Sequence, residues 1–522
     1  MSEISRRRFL QLQAGLGIGL STGLLTLQAG RAFAQTPKKG GTLRAALNGG
    51  ASTDRLDPAS FNSYIPVAFG KTWGEYLVRV NRDGSLDYRL AEEVLPSSDA
   101  KEWTIRVRKG VEFHNGKTVT GDDVKETLVR HASEKSQSGA YGFLKAIDTI
   151  KASGNDVTVT LKEANADFAY LLSDYHMVIQ PNGGQDDPNA GISAGPYQVE
   201  QNQPGVRHSG KRFANYWNAD RAGHADFVEI LVVNDNTSRT SALKSGQVQL
   251  INQVPAQLAQ LLKGDSALKL FSGTSRTFGE FNMFCDDAVF KNGDLRKALK
   301  LAIDRELILK NVFQGLGQVG NDYPINAAYP LFDHDLYFEK SPQTKYDPDQ
   351  AKFLLKKSGF EGRLPLSVSD AAFSGATAAA QIFQQSAAAA GIQIDVVREP
   401  ADGYWSEVWN AKPFHAAGWY GRPTQDQMYS TAYMSDAPWN DSRFKNEAFD
   451  KLILEAKGEL DDAKRKLMYA DAAKLVHDDG GSILFAFIDI TDATSAGVQG
   501  YEPHPGGELM DGFALSECWV TE

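Results

Sequence analysis

One short stretch of the chain carries the residue pattern of a catalytic serine. Gly191 to Gly195 read G-I-S-A-G and match the G-x-S-x-G nucleophile elbow of serine hydrolases, with Ser193 in the attacking position. Such an elbow needs a buried strand before the serine and a helix directly after it. Here the polar loop N-G-G-Q-D-D-P-N-A precedes the motif, and the strand-like P-Y-Q-V-E follows it. We therefore interpret Gly195-Pro196 as a tight turn into a strand, and a hydrolase that uses Ser193 is a distant alternative.

A second stretch, H-N-G-K-T at His114 to Thr118, resembles the end of a phosphate-binding P-loop. The P-loop pattern needs its first glycine at the position that Val111 occupies, and Gly110 lies one place too early. The residues before this stretch also lack the glycine-rich character of a phosphate cradle. The sequence therefore does not predict nucleotide binding at this point.

Residues that usually hold metal ions are few and scattered. The chain has nine histidines, none of them in an H-E-x-x-H motif, and two cysteines, Cys285 and Cys518, without a C-x-x-C motif. Because a structural zinc site needs a closely spaced set of Cys and His ligands, we expect no metal site and no cofactor. An oxidising compartment would permit a disulfide between the two cysteines, and the sequence leaves that pairing open.

The size and charge of the chain limit its architecture and its partners. At 522 residues it exceeds what one hydrophobic core usually supports, so two or more domains are expected. A hydrophobic content of 42% with 10% aromatic residues is typical of a packed globular protein. The net charge of −10 provides no strong positive field, and we expect no nucleic-acid partner.

The first 34 residues have the pattern of an export signal. S-R-R-R-F-L-Q at Ser5 to Gln11 resembles the twin-arginine motif, an apolar glycine-rich run follows it, and A-F-A at Ala32 to Ala34 suits cleavage by a signal peptidase. Cleavage would remove four arginines and one glutamate and change the net charge from −10 to −13. We predict export to the periplasm by the twin-arginine route, with an ordinary secretory peptide as the alternative.

The hydrophobic pattern predicts an α/β protein with two lobes, because strands and helices mix in both halves of the chain. Apolar residues in strand-like runs predict strands near residues 41–50, 102–108, 156–161, 227–233 and 483–488. From about residue 290 helices become frequent: Asp294 is predicted to cap one, and Asp347 to cap another that ends at Gly359. A helical region over residues 449–477 is predicted to break near Gly458.

Several segments taken together resemble one protein family. They are G-G-T-L-R, L-D-P, the long run L-A-E-E-V-L-P-S-S-D-A-K-E-W-T-I-R-V-R-K-G-V-E-F-H-N-G-K-T-V-T-G-D-D-V, S-A-G-P-Y, L-R-K-A-L-K-L-A-I-D-R and A-A-G-I-Q-I. They follow the order of the family 5 solute-binding proteins of ABC importers, which serve peptides, nickel and opines. The resemblance covers essentially the whole mature chain, and it is the joint occurrence of the segments that makes it specific.

The resemblance implies a two-lobed periplasmic-binding-protein fold of the class II type, with an additional subdomain in lobe one. It places lobe one at residues 40–275 plus 490–522 and lobe two at residues 276–489, with a hinge where the chain crosses between them. It also implies a monomeric receptor rather than an enzyme. Such a receptor closes over its ligand, and a membrane permease then reads the closed state.

One departure from the family pattern bears on the ligand. Peptide-binding relatives carry G-W-x-x-D, whose Asp pairs with the α-amino group of the ligand, whereas this chain reads G-W-Y-G-R with Arg422 in the Asp place. A guanidinium disfavours an amine and suits a carboxylate or a phosphate. Arg422 could instead pair with Asp426 or Asp492 inside the protein, and the sequence does not decide between these roles.

The resemblance points to further residues of the cleft. Trp419 is expected to form an apolar wall, and Asn48, at the end of the first strand, is expected to face the crevice. Asp492 occupies a place where oligopeptide binders carry an arginine. The weaker aromatic candidates are Tyr404, Trp405 and Tyr420. The expected ligand is a small peptide or a peptide-like anionic solute, and an opine or a nickel chelate is the alternative.

Overall fold

The structure is a computed structural model that describes residues 36–400 and 404–521. The predicted signal peptide, residues 1–34, lies outside the described residues. Within the described ranges no helix combines the length and the apolar character that crossing a membrane would require.

A seven-stranded mixed sheet forms the base of the first lobe. In order across the sheet its strands are Leu268–Gly273, Ile490–Ser495, Leu250–Ile251, Thr42–Leu47, Phe227–Val232, Arg207–Arg212 and Tyr197–Gln203. The strand Thr42–Leu47 runs parallel to both of its neighbours. The carboxyl ends of these three parallel strands therefore meet at one edge of the sheet, which is where open α/β sheets bind their ligands.

The first lobe also carries a smaller antiparallel sheet. Its strands are, in order, Ala91–Pro96, Glu102–Val107, Asp156–Leu161 and Ile147–Ser153, and the helix Gly121–Ala132 packs against it. Apolar residues of this sheet and of the seven-stranded sheet belong to one continuous core. The additional subdomain that the family resemblance implies stays a prediction, and this small sheet is the observation that supports it. Two short hairpins complete the strands, Val78–Val80 with Leu86–Tyr88 and Val498–Gln499 with Trp519–Val520.

The helices of the first lobe cover both faces of its main sheet. One face packs against Tyr64–Trp73, and the other packs against Asn236–Lys244 and Ala256–Leu262. The remaining helical turns of this lobe are Pro58–Ser60, Tyr141–Leu144, Phe168–Leu171, Pro181–Gly184, Glu508–Asp511 and Ala514–Glu517.

A six-stranded sheet forms the second lobe. Its order is Gly317–Val319, Ser482–Ile488, Phe278–Met283, Phe414–Trp419, Arg363–Val368 and Gln393–Arg398. The helices around it are Gly293–Ala302, Arg305–Asn311, His334–Lys340, Pro348–Ser358, Ala376–Ala389, Tyr404–Glu407, Gln425–Ala432, Glu447–Gly458 and Asp462–Asp479. Both faces of the sheet are buried under apolar side chains, and this makes the lobe a three-layer α/β unit.

The helix boundaries confirm one of the two predicted N-caps and correct the other. Asp347 accepts from the backbone of Gln350 and Gly359 has a φ of 68°, as predicted for a helix over residues 348–358. The predicted cap at Asp294 is wrong, because Asn292 accepts from the backbone amides that follow it and the helix begins at Gly293. Asn292 also donates to the carbonyl of Ser358, 2.9 Å away, so a contact remote in sequence fixes this cap.

The chain passes between the two large sheets at two places. One crossing falls between Gly273 and Phe278, and the other falls between Ile488 and Ile490. The lobe boundaries at residues 275 and 489 stay a prediction, and the two changes of sheet are the observation that supports them. Two short crossings of this kind suit a hinge.

The G-x-S-x-G motif lies in the interior of the first lobe. Ser193 is fully buried, its hydroxyl donates to the carbonyl of Ile179 at 2.6 Å, and it accepts from the amide of Glu75 at 3.0 Å. The strand Tyr197–Gln203 follows the motif, as predicted. At Gly195 a Cβ would lie 2.5 Å from the carbonyl oxygen of Trp73, so only glycine fits there. The Ser193 hydroxyl thus links its own loop to the backbone at Ile179 and at Glu75.

Ser193→Ala is expected to lower the free energy of unfolding by about 1–3 kcal/mol, because the change leaves two buried backbone groups without a partner. Urea unfolding of the two proteins measures this difference. Ser173→Ala is the matched control: its hydroxyl donates to one carbonyl, that of Tyr170, in a partly exposed turn. Ester or peptide hydrolysis by the wild type that Ser193→Ala abolished would contradict the structural role and revive the hydrolase hypothesis.

Candidate functional site

A large cavity of about 1270 Å³ lies between the two lobes. The first lobe contributes Asn48, Asn234, Gln253 and Glu508, which follow strand ends of the main sheet or lie on the C-terminal turn. The second lobe contributes an aromatic wall and the loop after Trp419. This volume exceeds the roughly 300–1,000 Å³ of pockets that hold drug-sized molecules, so the cavity has room for a ligand larger than a single amino acid.

Four tryptophans form the aromatic wall: Trp405, Trp409, Trp419 and Trp439. They pack on one another edge to face or at a tilt, with ring centroids 5.7 to 6.5 Å apart. Trp405 and Trp439 are each 47% exposed, so part of each side chain remains open to the cavity. The wall offers apolar area to a ligand side chain.

A buried carboxylate fixes the inner tryptophans of this wall. The indole nitrogens of Trp409 and Trp419 both donate to Asp441 Oδ2, at 2.9 and 3.2 Å. Burial raises the pKa of Asp441, and the indole hydrogen bonds oppose that rise. Because each ring has its single donor satisfied, its orientation is set before any ligand arrives.

Arg422 lies beside the aromatic wall, and no other Lys or Arg lines the cavity among the described residues. Its guanidinium carbon is 5.7 Å from the Trp419 ring and 5.8 Å from the Trp439 ring, within cation–π distance. The guanidinium donates a hydrogen bond to the carbonyl of the neighbouring residue Gly421, at 3.2 Å. Burial lowers the pKa of Arg422, and Tyr329, Tyr175 and Asp174 oppose that shift.

The carboxylates that the sequence offered as internal partners of Arg422 are engaged elsewhere. Asp492 accepts from the hydroxyl of Tyr501 at 2.5 Å and from the amide of Leu509 at 2.8 Å. Asp426 is buried near Ser430 and Asp167. Within the described part of the chain no carboxylate lies within 4.0 Å of Arg422. The guanidinium is therefore available to a ligand.

A tight loop sets the position of Arg422. Gly421 has a φ of 70°, and a Cβ there would lie 2.4 Å from the Cβ of Arg276. Arg276 donates to the carbonyl of Arg422 at 2.9 Å, and the amide of Arg422 donates to the hydroxyl of Tyr329 at 3.4 Å. Arg276 and Tyr329 thus fix the backbone of Arg422 through its carbonyl and its amide.

On the first lobe, a chain of amide side chains reaches the cavity. Asn252 donates to Asn48 at 2.7 Å, Asn48 donates to Gln253 at 2.7 Å, and Gln253 donates to Glu508 at 2.6 Å. Asn48 lines the cavity at the end of the first strand. The network orders the polar edge that faces the aromatic wall.

The predicted site residues divide into two groups in the structure. Asn48, Trp419, Tyr420 and Arg422 line the cavity, and Tyr420 is 77% exposed there. Tyr404 and Asp492 do not line it. Tyr404 is buried in the second lobe, where its hydroxyl donates to the carbonyl of Ala416 at 2.8 Å. Contact of these six residues with a ligand stays a prediction.

Sequence reasoning missed several cavity residues. Trp409 and Trp439 complete the aromatic wall, and Gln253 and Glu508 form the polar edge opposite. The tryptophans could have been flagged by their density between residues 405 and 439. No local pattern marks Glu508, because its place depends on an unusual backbone turn.

The two cysteines, whose pairing the sequence left open, and the scattered residues able to bind metals form no second site among the described residues. Cys285 and Cys518 are both free thiols, so the structure contains no disulfide between them. Among the described residues, no group of three or more His, Cys, Asp or Glu side chains is arranged to hold a metal ion.

Comparison with known proteins identifies the family. Residues 86–441, more than half of the chain, match the model of the bacterial extracellular solute-binding proteins, family 5 Middle. The chain belongs to this family. The resemblance seen in the sequence is thereby confirmed, and so is the expected class of protein, a two-lobed solute-binding protein.

Two curated relatives of family 5 match nearly the whole chain. The nickel-binding protein NikA of Staphylococcus aureus is 25% identical over 456 residues, covering 86% of this chain and 89% of NikA. The glutathione-binding protein GsiB of Pectobacterium atrosepticum is 26% identical over 485 residues, covering 88% of this chain and 92% of GsiB. Neither name suggests a hydrolase.

Solved structures show the same fold. The ABC transporter substrate-binding protein CtaP of Listeria monocytogenes superposes with a TM-score of 0.81 at 21% sequence identity, covering 93% of this chain and all of CtaP. The similarity shows that the two proteins share the two-lobed fold.

Proposed function

We propose that this family 5 protein is the extracytoplasmic receptor of an ABC importer, and that it captures a short peptide or a peptide-like anionic solute between its lobes. The observation that carries the proposal is Arg422, a cation without a carboxylate partner that lines a cavity of about 1270 Å³ beside four tryptophans. Guanidinium pairs with carboxylate in a bidentate, charge-assisted geometry. The tryptophan wall adds apolar contact for a side chain.

In this proposal, closure of the two lobes over the ligand is the change that the membrane permease recognises. A ligand that contacts residues of both lobes stabilises the closed arrangement, and a membrane permease distinguishes closed from open. We infer a monomer that reaches the periplasm through the twin-arginine pattern of its first residues, and a role without catalysis.

A nickel chelate or an opine is the second candidate within the same function. Such ligands present carboxylates to Arg422 as a peptide does. The described residues offer no cluster of metal ligands, so nickel would have to arrive inside a chelator. The curated relatives named for nickel and for glutathione support both candidates equally.

A thermal-shift panel tests the function and ranks the candidates. The panel contains dipeptides, longer peptides, glutathione, opines and nickel–histidine complexes. At about 100 times its dissociation constant a true ligand adds about 2.7 kcal/mol to the stability of the folded protein. A panel in which no compound raises the melting temperature at millimolar concentration would contradict the proposal.

A further inference from the structure

Glu508 begins a short left-handed turn at the edge of the cavity. The three residues after it, Leu509, Met510 and Asp511, have φ angles of 49°, 60° and 56°. Consecutive non-glycine residues rarely adopt this conformation, because Cβ crowds the following carbonyl oxygen. Backbone strain of this kind concentrates at binding and switch sites, where the surrounding structure enforces it.

The surroundings of the turn hold it from several sides. The amide of Leu509 donates to the buried carboxylate of Asp492 at 2.8 Å, and the Leu509 side chain is buried in the core. The hydroxyl of Tyr64 donates to the carbonyl of Glu508 at 2.9 Å. Lys71 forms an ion pair with Asp511 at 2.8 Å. These contacts direct the Glu508 side chain into the cavity.

A second strained residue meets Glu508 there. Gln253 has a φ of 47°, and its side-chain amide donates to Glu508 Oε1 at 2.6 Å. Asn48 donates in turn to Gln253. Two strained positions from distant parts of the chain therefore converge to hold one carboxylate in a fixed orientation.

This carboxylate has no cationic partner. Glu508 is 8% exposed, and no Lys, Arg or His among the described residues lies within 4.0 Å of its oxygens. Burial raises the pKa of Glu508 to about 8, and the neighbouring charge of Asp492 adds to the rise. A buried carboxylate without a counterion is unfavourable unless something supplies one. The titratable groups that face it are Asp492, Asp511, Arg239, Tyr64 and Tyr420.

We propose that Glu508 binds a primary ammonium group of the ligand on the first lobe, while Arg422 binds a carboxylate on the second. This inference rests on the proposed function. The two charged groups line one cavity from opposite lobes and do not pair with each other. A zwitterionic ligand would satisfy both at once, so it would draw the lobes together more strongly than an anion could.

The proposal predicts a pH dependence of binding. Below pH 8 the empty site holds a proton on Glu508, and pairing with an ammonium group requires that proton to leave. Affinity for an amine therefore weakens as the pH falls, by at most about tenfold per pH unit between pH 7 and pH 5. A ligand without an ammonium group should lack this dependence on Glu508.

Isothermal titration with matched probes tests the site. The probes are Ala-Phe and glutathione, each with a free amine and each N-acetylated. We expect the wild type to prefer at least one free amine over its acetylated form by about 30-fold or more, as for a buried charge pair. In Glu508→Gln the preference should fall to a few-fold and the pH slope should disappear. Glu112→Gln, which removes a carboxylate of the first lobe outside the cavity, should keep both.

Each outcome decides something different. Equal loss of preference in Glu112→Gln, or an unchanged preference in Glu508→Gln, would overturn the role of Glu508 and leave the proposed function standing. If none of the probes binds and no compound of the thermal-shift panel raises the melting temperature, the proposed function is overturned, and the inference with it. If Glu508→Gln does not fold, the pH slope of the wild type decides: a flat profile for the free amines between pH 5 and pH 7 would overturn the inference.

Discussion

Replacing Arg422 with methionine is expected to weaken ligand binding by about 30-fold or more and to leave the folded protein as stable as before. The loss of affinity follows because a ligand carboxylate would remain in the cavity without its charge-assisted partner. Stability should hold because Arg422 has no carboxylate partner in the protein and burial already disfavours its charge.

Titration with the best ligand of the panel, together with thermal unfolding of the empty protein, measures both parts of this prediction. Arg422→Lys should bind with intermediate affinity, since lysine keeps the charge and loses the planar fork. Arg207→Met is the matched control: Arg207 contacts Glu229 at 3.4 Å and Gln201 at 2.6 Å outside the cavity. A lower melting temperature with unchanged affinity in Arg422→Met would make Arg422 a structural residue.

Local patterns in the sequence predicted the elements that depend on local physics. Alternation predicted the strands Glu102–Val107 and Asp156–Leu161, and the Asp347 cap with its glycine stop predicted a helix to the residue. The Asp294 prediction failed because two candidate caps lie two residues apart and a remote carbonyl, that of Ser358, favours Asn292. Such a contact leaves no trace in a local pattern.

The sequence predicted those cavity residues whose side-chain chemistry stands out at a single position. Arg422 was found because it stands where the G-W-x-x-D segment of peptide-binding relatives carries an aspartate. Tyr404 was named for its aromatic ring, yet its side chain points into the core while its neighbour Trp405 lines the cavity. Adjacent residues of a helical turn point in different directions, so composition alone could not separate them. Glu508 depends on a left-handed turn that only tertiary contacts can enforce.

A buried ion pair joins the two lobes away from the cavity. Arg465 on the helix Asp462–Asp479 contacts Asp167 of the first lobe at 2.5 Å, and the two side chains are 6% and 3% exposed. Beside it the amide of Ala166 donates to the carbonyl of Lys457 at 2.7 Å. We expect contacts of this kind between lobes to break when the lobes open. We therefore expect the pair to stabilise the closed state.

Asp167→Asn is expected to weaken ligand binding by about 100-fold or more, because breaking a buried pair costs about 3–5 kcal/mol and this cost falls on the closed state that the ligand selects. We expect the ligand-free protein to be open and to lack this contact, so its melting temperature should change little. Titration calorimetry gives the affinity, and small-angle X-ray scattering with and without ligand shows whether the lobes still close.

Another buried ion pair, within the second lobe, provides the control. Arg305 and Asp322 lie within the second lobe, joined by two contacts of 2.7 and 2.9 Å, and both are almost fully buried. Asp322→Asn breaks a pair of the same chemistry that closure does not disturb, so it should lower the melting temperature and spare affinity. The double variant Asp167→Leu/Arg465→Met should recover much of the lost affinity, because it leaves no buried charge unpaired. If Asp167→Asn instead behaves like Asp322→Asn, the Asp167–Arg465 contact is part of the fold in both states and does not report closure.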